Sequence, residues 1–462
     1  SFLLQNEYRQ ALKNSKILSD FSFLVGETGT KGHFFYNQLG KLNENVSYEL
    51  NLQDVKGDNY LKKHKLVGTS KLITSGDLLK SNFNVNWNFE ESILKTSVRM
   101  YKDLSRDYND RYQYVFPSFN FVKNLSIPEE YNGNFSFYSS GHHKNYNTNI
   151  TEAVITNDFL FKSNNYINSH GLVTNYNLLL KNSNNYVENS STNKEDTNYN
   201  VFGTVKIDTS YPLQKNMEYY THYLKPIASV RYSPNGNSNL SSDNILLNYN
   251  SVFSLNRIGS SSEVEGGESL SLGLEFERNN NITGRELDFK VANVLKPKKR
   301  HKLPSKSKLD ETRSDIFGIL NYYPNDYVQI GYNFSYDRDL KHSNLEGLNF
   351  GINMNNILTN FYYYTEDNDI GNKEILSNKT TFTINDENKF KFNTRKDLKD
   401  DFTQYYNIMY EYLTDCLSIS LNYNKSFYRD GNLEPTKNLS FLIKIIPFTE
   451  LGVPNVKSMI NR

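Results

Sequence analysis

His142-His143 is the only adjacent histidine pair in the chain, and two neighbouring imidazoles raise the question of a metal site. Adjacent residues on an extended chain point to opposite sides, so the pair makes a poor two-point ligand for one ion. Its Gly141, Lys144 and Asn145 neighbours read as a solvated turn. Paired carboxylates can move protons, but Glu90-Glu91 and Asp400-Asp401 fall at expected strand ends or turns, with no nucleophile or histidine motif beside them. Gly266-Gly267 lacks the Lys-Ser/Thr and the following helix of a phosphate loop. The densest charge run is Lys296-Pro297-Lys298-Lys299-Arg300-His301-Lys302. It has two readings: a solvated loop, or a contact for anionic headgroups through Lys298, Lys299, Arg300 and Lys302, because ammonium and guanidinium groups suit phosphate. Cys416 is the single cysteine, which excludes an internal disulfide framework and leaves open a bridge to a segment outside this chain. No catalytic group, metal or cofactor is expected.

The elements that carry these residues announce themselves by a period of two. Residues 82–89 read Asn-Phe-Asn-Val-Asn-Trp-Asn-Phe, so Phe83, Val85, Trp87 and Phe89 share one face of a strand and asparagines take the other. The same beat returns at Leu270, Leu272, Leu274, Phe276, at Val328, Ile330, Tyr332, Phe334, and at Leu348, Phe350, Ile352, Met354. Late in the chain it recurs at Leu417, Ile419, Leu421, Tyr423 and at Leu439, Phe441, Ile443, Ile445. Sheets with one wet face give this pattern, and so do outer-membrane barrels, whose lumen is wet and whose outside is lipid.

Composition narrows the choice. The 462 residues are 37% hydrophobic, and no run approaches the ~18 apolar residues of a membrane helix. Helical membrane proteins are therefore excluded, whereas a barrel is not, since half of each spanning strand faces water. Aromatics reach 14%, with 35 Tyr and 29 Phe against one Trp, as aromatic girdles would require. Base bias in an AT-rich genome can raise Tyr, Phe and Asn together, but it does not explain period-two placement. The net charge of +1, from 52 basic and 51 acidic residues, argues against a nucleic-acid partner.

Segments of roughly ten residues alternate with polar turns along the whole chain, the length a tilted strand needs to span hydrocarbon. Phe2–Tyr8 and Ile17–Val25 are expected as a first hairpin, followed by His33–Gln38 and Asn45–Gln53. Lys181–Asn200, Ser233–Asn244 and Lys296–Arg313 are expected as long polar connections, and no helix stands out. About two dozen strands follow from roughly 20 residues per strand and connection. The expected fold is all-β: a large antiparallel transmembrane barrel over residues 1–449, with a tail over 450–462. A propeller or solenoid would need an internal repeat, and two sandwiches a linker; neither is visible.

Several stretches together resemble the LptD family of outer-membrane lipopolysaccharide-assembly proteins, most closely its alphaproteobacterial forms. They include Glu7-Tyr8-Arg9, Asp58-Asn59-Tyr60-Leu61-Lys62-Lys63, and Leu224-Lys225-Pro226, where Lys225 replaces the usual acid. Phe253-Ser254-Leu255-Asn256-Arg257-Ile258 followed by Val264-Glu265-Gly266-Gly267-Glu268 resembles a family hallmark. The likeness continues through Ser314-Asp315-Ile316, Arg395-Lys396-Asp397-Leu398, Asp415-Cys416-Leu417 and Arg429-Asp430, in shared order over almost the whole chain.

The resemblance implies an integral outer-membrane barrel that receives lipopolysaccharide from the periplasmic bridge protein LptA through an N-terminal jelly-roll domain. It implies an LptE-like lipoprotein plug, and release of the acyl chains into membrane lipid through a seam between the first and last strands. On that basis the last strand is expected at Asn438–Phe448, with Leu439, Phe441, Ile443, Ile445 and Pro447 at the lateral gate. Cys416 aligns with a position where many relatives carry a cysteine pair, and becomes a candidate for an inter-domain bridge. The basic run gains a phosphorylated sugar-lipid as its target. The jelly-roll domain and first strand are expected to lie upstream of Ser1, which carries no leader sequence. The alternative function is a general porin or transporter barrel.

Overall fold

The computed structural model describes residues 2–26, 29–64, 66–146, 149–189, 196–234, 240–241, 244–260, 262–306, 308–367, 370–427, 437–445 and 449–452. Among these residues, 26 ladder segments form one all-antiparallel sheet in which each strand pairs with the next. Tyr166–Ile167 continues Ile150–Ser163 against the same partner, and Leu213–Asn216 continues Asp196–Ser210 in the same way, so the sheet has two dozen strands. It runs from Phe2–Ala11 to Lys437–Ile445, with Thr449–Gly452 folded back onto the latter. This is the large barrel that the period-two pattern predicts. The only α-helices among the described residues are single turns, Tyr60–Lys63 and Tyr249–Val252.

The two faces divide as the alternation requires. On one face lie buried small polar groups such as Asp20, Ser22, Asn82, Ser118, Thr156 and Ser271. On the other, Phe21, Phe23, Phe34, Leu52, Phe83 and Phe441 are exposed. A soluble sheet would bury its aromatic face and wet its asparagines. Here the arrangement is inverted, because lipid takes the outside and polar groups must find partners inside.

Connections are unequal at the two rims. One rim carries short turns, such as those between Ala11 and Ser15 and between Met354 and Ile357. The other carries the described residues of 57–77, 234–266 and 296–315. Two expectations need correction. Lys181–Asn200 is not one long connection: Val173–Glu188 and Asp196–Ser210 run through it in register, Lys181 opposite Phe202. Amide side chains make this possible by bonding across and along the wall, with Asn157 donating to Asn182 (3.2 Å) and Asn182 to Asn184 (3.1 Å). His142-His143 likewise lies inside the strand Gly133–Tyr146 rather than in a turn, and the His142 ring meets the Glu152 carboxylate at 3.0 Å.

Candidate functional site: a polar lumen capped from the long-loop rim

The inner face supplies hydrogen-bonding groups in quantity. Between Leu78–Asn88 and Ile150–Ser163 it surrounds a cavity of about 610 Å³ bordered by Lys80, Asn84, Lys95, Arg99, His142 and Lys144. Arg99 is held flat against the wall, its Nε donating to Ser97 (2.8 Å) and its Nη2 to Ser118 (2.6 Å). Lys181 with Asp158 (2.7 Å) and Lys391 with Glu411 (2.8 Å) continue the polar lining around the sheet. Such a surface offers donors and charge to a hydroxyl-rich or phosphorylated cargo.

Two structured caps descend on this interior. The first is residues 57–77. Tyr60, Leu61, Leu66, Leu72 and Ile73 bury themselves against Leu24, Phe35 and Val55 of the wall. Each such side chain contributes about 1.5–3 kcal/mol relative to exposure. Under them runs a closed polar chain in which the His33 ring lies 2.5 Å from Asp20 and 2.6 Å from the Ser22 hydroxyl, itself 2.7 Å from the Tyr60 phenol. Every member has a partner, as burial demands. Lys62 pairs with Asp77, and Arg111 grips Asp58 with two bonds of 3.0 and 2.9 Å, tying the cap to the neighbouring hairpin.

The second cap combines the described residues of 244–266 and 296–315 over an apolar layer of Leu247, Val252, Ile258, Leu303, Leu309 and Phe317. Its anchor is a buried charge cluster. Glu265 receives two bonds of 2.7 Å from Arg257 and an ammonium at 2.9 Å from Lys296. Arg231, on the strand Tyr220–Ser233, donates to the Glu265 carbonyl (2.5 Å) and the Leu255 carbonyl (2.7 Å). Burial alone would raise the Glu265 carboxyl, but Arg257, Lys296 and Arg231 overcome that and hold it well below the usual carboxylate range. Burial pushes the Lys296 ammonium down to about 8, against partial support from Glu265. Gly267 explains the glycine doublet: its φ is +96°, and an added Cβ would run into the Arg300 guanidinium.

The predicted site residues divide among these features. Of the basic run, Lys299 pairs with Glu311 (2.8 Å) and Arg300 with Glu268 (3.1 Å), while Lys298 and Lys302 are exposed. Cys416 is an exposed free thiol on the short-turn rim, between Phe402–Leu413 and Leu417–Ser426. Leu439 and Phe441 are exposed on the outer face, and Ile443 is half-buried. Ile445 ends the strand, opposite Leu417. Pro447 lies outside the described residues. Among those residues, no ladder joins Phe2–Ala11 to Lys437–Ile445 or Thr449–Gly452. The sequence reading missed Arg231, Glu265 and Lys296 as one unit. The available signal was a Glu next to a glycine doublet inside the hallmark stretch.

An apolar belt outside, a polar and capped interior, and one unbroken run of antiparallel strands define an integral outer-membrane β-barrel. The chain matches the model of LptD, LPS transport system D, over residues 29–385, and it belongs to that family. No curated protein matches it in sequence. Similar solved structures include the siderophore receptor PirA from Pseudomonas aeruginosa, at 8% identity and a TM-score of 0.47, covering 97% of this chain and 79% of that one. The alcaligin outer-membrane receptor FauA from Bordetella pertussis follows at 9% and 0.38, covering 91% and 72%. A porin mutant of Rh. blastica shows 9% and 0.24, covering 66% and 91%.

Proposed function

We propose that this barrel inserts lipopolysaccharide into the outer leaflet, passing its saccharide through the polar lumen and its acyl chains through a lateral seam. The observation that carries the reading is the LptD match over residues 29–385, a span that includes both caps and most of the wall. The lining around Lys95 and Arg99 supports it by suiting phosphorylated sugar. Unpaired backbone groups in hydrocarbon cost several kcal/mol each. A lipid-wide opening therefore has to fall at a weakly paired seam, which the family resemblance puts between the first and last strands, with Leu439, Phe441, Ile443 and Ile445 on one lip of the gate. Pro447, lacking an N–H, would limit pairing where that strand runs out.

On this reading the short-turn rim faces the periplasm, because barrels place their short turns there. LptA delivers through an N-terminal domain outside this chain, an LptE-like lipoprotein plugs the barrel, and Cys416 is positioned for a bridge to that domain. Lys298, Lys299, Arg300 and Lys302 are the phosphate-contact candidates on the outer rim, Lys299 and Arg300 while also holding carboxylates. The caps disfavour the porin alternative, which needs an open bore. Depleting the protein in its native cell should stop newly made lipopolysaccharide from reaching the surface while phospholipid synthesis continues. Undiminished surface appearance would refute the assignment.

A further inference from the structure

The ladder between Val46–Lys56 and Leu78–Asn88 is incomplete. It runs from Val46 opposite Trp87 to Asn51 opposite Asn82 and stops, although both strands continue toward the long-loop rim. Side chains stitch the remainder. Gln53 Oε1 accepts from the Lys80 amide (2.8 Å), the Gln53 amide donates to the Ser81 hydroxyl (3.0 Å), and Asn51 donates to the Lys80 carbonyl (2.7 Å). Inserting side chains between two strands spreads them. Over the spread, on the outward face, lies a cleft of about 1030 Å³.

The cleft is layered. Phe34, Leu52 and Met100 line it, and Phe34 and Leu52 belong to the exposed apolar belt. Toward the hairpin that joins Ser92–Asp103 to Tyr112–Leu125 come Tyr108, Tyr112 and Tyr114, together with Asn145 and Asn149. The Tyr112 and Tyr114 rings are stacked at 6.1 Å with an 8° interplanar angle, and Tyr108 stands edge-on to Tyr112. Arg111, which packs over the Tyr108 ring at 5.9 Å while gripping Asp58, fixes this hairpin to the first cap. The cleft's cation, Lys102, is neutralised by Asp54 at 2.8 Å.

We propose that this cleft holds the inner saccharide of a lipopolysaccharide molecule resident in the outer leaflet, with its acyl chains along Phe34, Leu52 and Met100. Aromatic faces take the C–H faces of sugars, and amides and phenols match hydroxyls that both donate and accept. With Lys102 paired to Asp54, the cleft grips ring faces and hydroxyls and leaves the sugar's phosphates turned to solvent. The apolar-to-polar order along the membrane normal is that of a sugar-headed lipid. The inference rests on the proposed function only for the long-loop rim facing outward.

The test uses the full protein in nanodiscs containing lipopolysaccharide and phospholipid, with a photo-crosslinking residue at Asn145 or, as control, at Val230, an exposed outward position near the same rim. Lipopolysaccharide should be captured at Asn145 at least about tenfold more than at Val230, and Tyr112→Ala/Tyr114→Ala should remove most of that excess, the equivalent of about 1.4 kcal/mol. The milder Asn109→Ala, checked for intact heat-modifiable migration, should lower it in the same direction. Equal capture at both positions would mean ordinary annular lipid and overturn the proposal, as would preferential capture of phospholipid. Because the readout is binding without export, capture at Asn145 would stand even if depletion left export intact.

Discussion

Replacing Glu265 by glutamine should release the second cap while leaving the barrel standing. The substitution leaves Arg231, Arg257 and Lys296 in one buried pocket without their common anion. Lys296, already down at about 8, needs little further shift to shed its proton at pH 7. That keeps the lysine share of the loss on the order of 1 kcal/mol. Arg257 has no such escape, and losing its two charge-assisted bonds puts the total near the 3–5 kcal/mol typical of a broken buried pair. Local opening responds to that change without global unfolding. Trypsin cleavage after the buried Arg257 should therefore rise by at least about a hundredfold in Glu265→Gln, with heat-modifiable migration unchanged. Adding Lys296→Met should recover part of the protection by removing one stranded cation. Cleavage at the wild-type rate in Glu265→Gln would refute the cluster as the cap's anchor.

The cluster also fixes two pH dependences. Glu265 sits below its unfolded value, so its contribution is fully present above about pH 4.5 and is lost as pH falls through its folded value. Lys296 is a base with a lowered value, so the unfolded state holds more protons between about 8 and 10.5. The lysine cost is thus relieved as pH rises through that window, and wild-type cap protection should gain relative to Lys296→Met, read by the same proteolysis. Gly267→Ala should loosen the cap by more than about 1 kcal/mol, since alanine resists the positive φ and displaces Arg300 from Glu268, visible as new cleavage at Arg300. Val85→Arg should cost about 2–4 kcal/mol in bilayer unfolding if Val85 lies near the midplane, whereas Asn86→Arg, on the cavity side, should cost far less. Mass mapping of the full-length native protein should find Cys416 disulfide-bonded, and a free thiol there would remove the inter-domain bridge.

Much of the wall was legible because its chemistry is local. Alternation in Asn82–Phe89 reports which side chains meet lipid, and the turn residues around Lys13-Asn14-Ser15 report where the chain reverses. Where sequence reading erred, long-range pairing had overridden local composition. The asparagines of 181–188 look like loop until their bonding partners at 157 and 200 are known. The caps were least visible. Glu265, Lys296 and Arg231 are far apart in sequence, and a basic run reads as solvent-facing until a buried carboxylate is placed beside it. The unladdered stretch falls where alternation lapses, in Leu52-Gln53-Asp54-Val55 and Leu78-Leu79-Lys80-Ser81, but such a lapse reads equally as an ordinary strand end.

The lateral seam is tested most directly by closing it. One cysteine is introduced on Lys437–Ile445, at Phe441, and one on the first barrel strand of the intact protein, and surface appearance of lipopolysaccharide is followed under oxidation and after reduction. The account predicts that export stops when the crosslink forms and resumes when it is reduced, while either single cysteine exports normally. Continued export with the seam covalently shut would contradict lateral release there and leave a lumen-only channel as the better explanation.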